Sequence, residues 1–133
     1  MTLYMLDTNI VSDMMRNPGG KVADHIARVG EHRLCLSIIM AAELRFGAAR
    51  SGSSRLLARV EAVLARMPIL SLDVPADAAY GAIRAELESA GRPIGPNDLL
   101  IGAHASALGA TMVTANVGEF QRIPGLKVEN WTV

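Results

Sequence analysis

The chain has 133 residues, enough for one domain with one core and too few for a second. Half of them are hydrophobic but only 4% are aromatic, and the apolar mass of Ala, Leu, Val, Ile and Met suits helices laid on a buried sheet. The 13 basic and 13 acidic residues cancel, which excludes a protein that coats nucleic acid through a global positive field and requires any such partner to meet a local patch.

The chain opens with an apolar strand near 3–6, handing over at Asp7 to helical material at 9–16 and, after Pro18-Gly19-Gly20, at 21–30. A strand near 34–37 runs into a helix near 38–50, and "SGSS" at 51–54 turns the chain into a helix near 55–67 that Pro68 stops. A strand near 69–72 and a helix near 76–90 follow. The loop "GRPIGPND" opens a helix near 97–108, and strands near 111–114 and 127–130 complete the pattern. Strands alternating with helices predict a mostly parallel sheet covered on both faces, an α/β fold in a single domain spanning 1–133.

No charge lies between Asp98 and Glu119, so a membrane span has to be weighed. The stretch carries glycines, a histidine, a serine, threonines and an asparagine, and a buried helix followed by a buried strand explains it better than a spanning helix. Cys35 is the only cysteine, which excludes an intrachain disulfide, and "MTLYMLD" lacks the basic segment of a signal peptide; the cytoplasm is the expected compartment.

In open parallel sheets the ligand site lies beyond the carboxyl ends of the strands, near the reversal of strand order. Asp7 falls at such an end, where Thr8 or Asn9 can cap the next helix and where a simple polar turn would also carry an aspartate. Glu43 lies on a helix with Ile39 and Met40 one turn before it and Phe46 and Gly47 one turn after, an apolar face that would penalise an unpartnered carboxylate unless it pairs with a passing arginine or the helix tilts so that Glu43 reaches water. Asp98 falls in the first turn of its helix, with Ile101, Gly102 and Ala105 on the same face; Asn97 or Asp98 could also merely cap it. "TANVGEF" offers Asn116 and Glu119 after the fourth strand. Four segments thus deliver oxygen ligands to one sheet edge, and a cluster of like charges is stable only if protonated or holding a cation. Oxygen-only ligands favour Mg²⁺ or Mn²⁺, and no zinc spacing exists in the chain.

With these residues in this order, the sequence resembles the PIN-domain family and, within it, the VapC-type toxins. "MLDTNIVSDMM", "SIIMAAELRFGA", "IGPNDLLIGAHA", "TANVGEF" and "IPGLKVENW" all look like that subgroup. The resemblance implies a PIN-like α/β/α sandwich and a metal-dependent endoribonuclease that inhibits translation by cutting structured RNA, with the initiator tRNA anticodon stem-loop as the leading substrate. Asp7, Glu43 and Asp98 match the family's first three acidic positions. Many PIN domains carry an aspartate where this chain has Asn116, and Glu119 fits a "TxNxxEF" variant. The resemblance also implies a small VapB-like antitoxin lying over the active-site groove, and a toxin dimer.

On that reading Asp7 and Asp98 hold Mg²⁺ or Mn²⁺, directly or through water, while Glu43 orients or deprotonates a water or binds the metal itself. Thr8, Asn9, Ser37, Thr114 and Asn116 are candidate supports for the carboxylates, although an ordinary helix cap is the better role for Ser37. Arg45, Arg50, Arg55 and Arg59 form a local excess of positive charge that can track an RNA backbone or simply solvate a helix face. Aspartate-nucleophile phosphotransferases fit poorly, because position 9 is Asn and the only lysines are Lys21 and Lys127. The alternative from another class is a catalytically degenerate PIN domain that only binds antitoxin or RNA.

Overall fold

The computed structural model describes residues 2–133. Apolar runs too short for helices become strands: β1 (Tyr4–Leu6), β2 (Leu34–Ser37), β3 (Ile69–Leu70), β4 (Thr111–Val113) and β5 (Val128–Glu129). All four residues of β2 and all three of β4 are buried, so these strands are covered on both faces. The sheet is parallel throughout, in the order β3-β2-β1-β4-β5. Leaving β1, the chain adds β2 and β3 on one side and then returns to place β4 on the other, which puts the reversal at the carboxyl ends of β1 and β4.

The helices are α1 (Thr8–Arg16), α2 (Lys21–Val29), α3 (Ile38–Ser51), α4 (Ser54–Leu64), α5 (Ala76–Ser89), α6 (Pro96–Leu108) and α7 (Val117–Phe120), with one 3-10 turn at Glu31–Arg33. The charge-free stretch after Asp98 is the buried helix α6 and the buried strand β4, and among the described residues no helix is long and apolar enough to cross a membrane. Ser37 caps α3 by accepting from Ile39 N, and Pro96 starts α6 at a position that needs no N–H donor. Gly52 and Gly109 end α3 and α6 in the left-handed region that favours glycine.

Met5, Leu6, Leu36, Met40, Ile101 and Met112 are fully buried at the centre of the core. Trp131 closes one edge, stacked on His25 with ring centroids 5.1 Å apart and tilted against Tyr4 at 5.2 Å. Burial also pushes the Cys35 thiol up to about 11, which leaves it unreactive.

Two expectations need correction. Asp7 itself caps α1, with Oδ1 accepting from Thr8 N, so neither Thr8 nor Asn9 is the cap. Gly95 is the cap of α6 and has no side chain to offer, so neither Asn97 nor Asp98 has that role. In addition, residues 117–120 form α7, where the sequence reading places no element, one helical turn being too short to show periodicity.

Gly102 lets α6 approach the segment after α7. A Cβ there would lie inside contact distance of Ile123 Cδ1, and Phe120 stands 3.6 Å away. Both neighbours are essentially buried, so the crowding has little room to relax. Overpacking costs about 1–3 kcal/mol, against about 1 kcal/mol returned by helix propensity. Gly102→Ala is therefore expected to lower the urea midpoint, and adding Ile123→Val, which removes the clashing methyl, to recover part of the loss. A double variant showing the full sum of the two single losses would place the strain elsewhere.

Candidate active site

The reversal point is built around Asp7. Its backbone N–H donates to Val113 O at 2.9 Å, continuing the β1–β4 ladder by one residue, and its side chain is only 5% exposed. Thr114 Oγ1 donates to Asp7 Oδ2 at 2.8 Å and Asn9 Nδ2 to the same oxygen at 3.2 Å. Asn9 Oδ1 in turn accepts from Ala115 N at 2.9 Å, and Thr114 Oγ1 accepts from Asn116 N at 2.9 Å. Short polar side chains thus tie the end of β1 to the end of β4. Burial raises the Asp7 pKa, against the lowering by Thr114, Thr8 and Asn9.

Glu43 reaches this edge from α3. Its Oε2 accepts from Asn97 Nδ2 at 3.2 Å, and Thr8 Oγ1 stands 3.5 Å from Oε1. Only half of its helix face is buried: Met40, one turn before it, is fully buried in the core, whereas one turn after it Phe46 is 64% exposed and Gly47 lines an open groove, so Glu43 is half-buried on the wall of that groove. Ser37 lies further back; its hydroxyl caps α3 and meets His104 Nδ1 of α6 at 2.9 Å, so it steadies the helices and touches none of the carboxylates.

Asp98 enters at the first turn of α6. Burial, the charges of Asp7 and Glu119, a hydrogen bond with Glu119 and the charge of Glu43 together push its carboxyl up to about 7. Those neighbours are the residues that the sequence picked out, brought together from the β1–α1 junction, α3 and α7. Glu119 is held down by the Gly95 N–H, which donates to Oε1 at 2.6 Å, and by Asn116 Nδ2, which donates to Oε2 at 2.6 Å. Asn116 therefore faces Glu119 with its amide and supports it. Asn97 and the Gly95 N–H are supports that sequence reasoning missed as such; the turn "IGPND" was the available signal.

The arginines do not line up along this edge. Arg45 makes a paired contact with Glu61, at 2.8 and 2.9 Å, and Arg50 lies over the Phe46 ring at 5.8 Å. Arg59 donates to Met15 O at 2.6 Å and lines the groove beside Glu43, while Arg55 sits exposed at the start of α4. The groove, about 370 Å³ between α1, α3 and α4, is floored by Leu44, Ala48 and Val60. Met15 and Arg59 join it to a second, of about 670 Å³, between α2 and α4.

An all-oxygen set of carboxylates at this edge suits a hard divalent cation. Among the described residues no three of His, Cys, Asp or Glu close on one point as ligands for an ion.

The folded chain binds the Asp98 proton more tightly than the unfolded chain. The stability that this proton confers is complete below the ordinary carboxyl pKa and is lost as pH rises through about 7. In metal-free protein the melting temperature is expected to fall more steeply between about pH 5 and pH 8 for the parent chain than for Asp98→Asn. The buried His104, whose pKa is lowered by burial, acts equally in both chains and drops out of the comparison. Parallel profiles would place the raised proton affinity on another group.

Comparison with known proteins agrees with this geometry. The PIN domain pattern matches residues 4–126. A "tRNA(fMet)-specific endonuclease VapC" of Salmonella typhimurium is 39% identical over 132 residues, covering 98% of this chain and 99% of the relative. A "Ribonuclease VapC2" of Rickettsia felis is 38% identical, covering 97% and 98%. The crystal structure of a DNA-bound VapBC from Salmonella typhimurium contains a chain that superposes with a TM-score of 0.91 at 39% identity, covering 98% of this chain and 99% of that one. The fold, the near-complete coverage and the identity agree: the chain belongs to the PIN-domain family, in the branch of the VapC ribonucleases.

Proposed function

We propose that this chain is the toxin of a toxin–antitoxin pair, a divalent-metal-dependent endoribonuclease acting on structured RNA in the cytoplasm, with initiator tRNA as its leading substrate. The observation that carries the reading is the gathering of Asp7, Glu43 and Asp98 from three separate segments at one sheet edge, with Glu119 set beside them on the Gly95 N–H. Such mutual repulsion is tolerated where it serves to hold positive charge. The relative named for tRNA(fMet) supports the choice of substrate.

Asp7 and Asp98 would hold Mg²⁺ or Mn²⁺, which supplies charge neutralisation at the phosphate and a more acidic water. Asp7 is kept in place by Thr8 N, Thr114 and Asn9, so it does not reorient as charge develops. Glu43, steadied by Asn97 at Oε2, accepts the proton of the attacking water at its carboxylate. The water oxygen bonds to phosphorus and the P–O3′ bond breaks, the leaving oxygen taking a proton from solvent. The products are a 5′-phosphate and a 3′-hydroxyl, and no 2′-hydroxyl nucleophile is needed.

The two joined grooves suit a VapB-like antitoxin. Leu44, Ala48, Val60, Met14, Met15 and Val63 give them an apolar lining, and Glu43 at the rim offers a carboxylate to a basic side chain. The exposed apolar residues Ile38 and Phe46 on α3 and Val74 beyond β3 would serve pairing with a second copy.

Purified protein freed of antitoxin is expected to cut total tRNA to a discrete fragment with Mg²⁺ or Mn²⁺ and not with EDTA. Asp7→Asn is expected to fold, because it removes a buried charge, and to lose cleavage. Asn9→Ala, which loosens Asp7 and leaves the Ala115 N–H without its side-chain acceptor, should lower activity or Mn²⁺ affinity by about 10–100-fold. Full activity in Asp7→Asn would remove the assignment, whereas absent cleavage together with absent Mn²⁺ binding in the parent chain would favour a binding module.

A further inference from the structure

The amino end of α6 departs from the usual reciprocal cap. In that arrangement the third residue of a helix sends its carboxylate back to the N–H of the capping residue. Here the cap is Gly95 and the first three helical residues are Pro96, Asn97 and Asp98, so Asp98 is the residue placed to answer the Gly95 N–H. Gly95 N donates instead to Glu119 Oε1, a carboxylate 24 residues away on α7. A Cβ at position 95 would stand 3.4 Å from that oxygen, an ordinary contact, so the bond uses the backbone N–H and does not depend on glycine.

Glu119 is itself held for this contact, since its second oxygen accepts from Asn116 Nδ2. Three residues further on, Arg122 Nη1 donates to Pro93 O at 2.7 Å. The segment 93–95 is thereby grasped at one acceptor and one donor by the stretch that begins with α7. Asp98 needs no contact with its own helix cap, and it lies among the charges of Asp7, Glu119 and Glu43.

We propose that Glu119 is a positioning residue: it caps α6 from outside the helix, so that the Asp98 carboxyl, which also hydrogen-bonds Glu119, faces Asp7 and Glu43 and not its own helix cap. Arg122 is the second point of the same clasp. The fourth carboxylate of the site then acts through Asp98, and what its position requires is a hydrogen-bond acceptor rather than a negative charge. This assignment rests on the nuclease reading above for its catalytic meaning, while the capping contact is open to measurement in metal-free protein.

The test compares the parent chain with Glu119→Gln, which keeps an acceptor, Glu119→Ala, which has none, and Asp98→Asn. In metal-free protein the Gly95 amide proton, followed by NMR, is expected to stay shifted and protected from exchange in Glu119→Gln and to lose both in Glu119→Ala. Mn²⁺ affinity and tRNA cleavage should remain within about threefold of the parent in Glu119→Gln and fall by about 10–100-fold in Glu119→Ala. Asp98→Asn should lose Mn²⁺ binding and cleavage while its Gly95 amide stays protected. A Gly95 amide indifferent to Glu119→Ala would overturn the capping role. Equal losses of Mn²⁺ affinity in the Gln and Ala variants, with the Gly95 amide still protected in Gln, would overturn the positioning role in favour of a direct charge on the ion. A parent chain that neither binds Mn²⁺ nor cleaves RNA would defeat the nuclease reading, and the amide comparison would still decide the cap.

Discussion

The contact on which the site depends is the junction of β1 and β4 at Asp7. One residue continues the sheet through its N–H to Val113 O, caps α1 through Oδ1 and receives Thr114 and Asn9 at Oδ2. Sheet, helix and carboxylate are fixed by the same atoms. Any shift of Asp7 would break a ladder bond and a cap together, so its position is as firm as the strand pairing itself. The other carboxylates arrive on helices placed by the same sheet: α3 directly after β2, α7 three residues beyond β4, and α6 held to the start of α3 through the His104 to Ser37 contact.

Electrostatics opposes this arrangement. Asp7 is raised by burial, and Asp98 is raised to about 7 by burial and three neighbouring carboxylates. The side chains around them limit the repulsion without abolishing it: Thr114 and Asn9 hydrogen-bond Asp7, Asn97 reaches Glu43, and Asn116 with the Gly95 N–H holds Glu119. Each of these donors is neutral. A basic residue in any of those places would neutralise the edge and compete with a cation for it, and the surface arginines meet other partners, Arg45 on Glu61, Arg66 on Glu31 and Arg84 on Glu88.

Much of this was legible in the sequence, for identifiable reasons. Fully buried strands read as short apolar runs, and Pro96, Gly52 and Gly109 punctuate helices where backbone geometry requires them. The carboxylates stood out because Asp7, Glu43 and Asp98 interrupt apolar segments. What stayed hidden depends on three-dimensional partners. Phe46 and Gly47 have the spacing of a core face, yet Phe46 is exposed and Gly47 borders a groove, and spacing alone does not tell these apart from a core face. Arg45 looked like a free cation until α4 brought Glu61 opposite it, and the division of work between Asn116 and Glu119 turns on which way one amide points.

The groove beside Glu43 separates two kinds of constraint. Its far wall is α4, whose Leu56, Arg59 and Val60 line the cavity and hydrogen-bond none of the clustered carboxylates. Substitutions along that helix face can reshape what the groove accepts without moving an atom of the Asp7 junction. Recognition can then drift quickly between lineages while the chemistry stays fixed, and two duplicated copies within one genome could become insulated from each other's partners through a few changes on α4 alone.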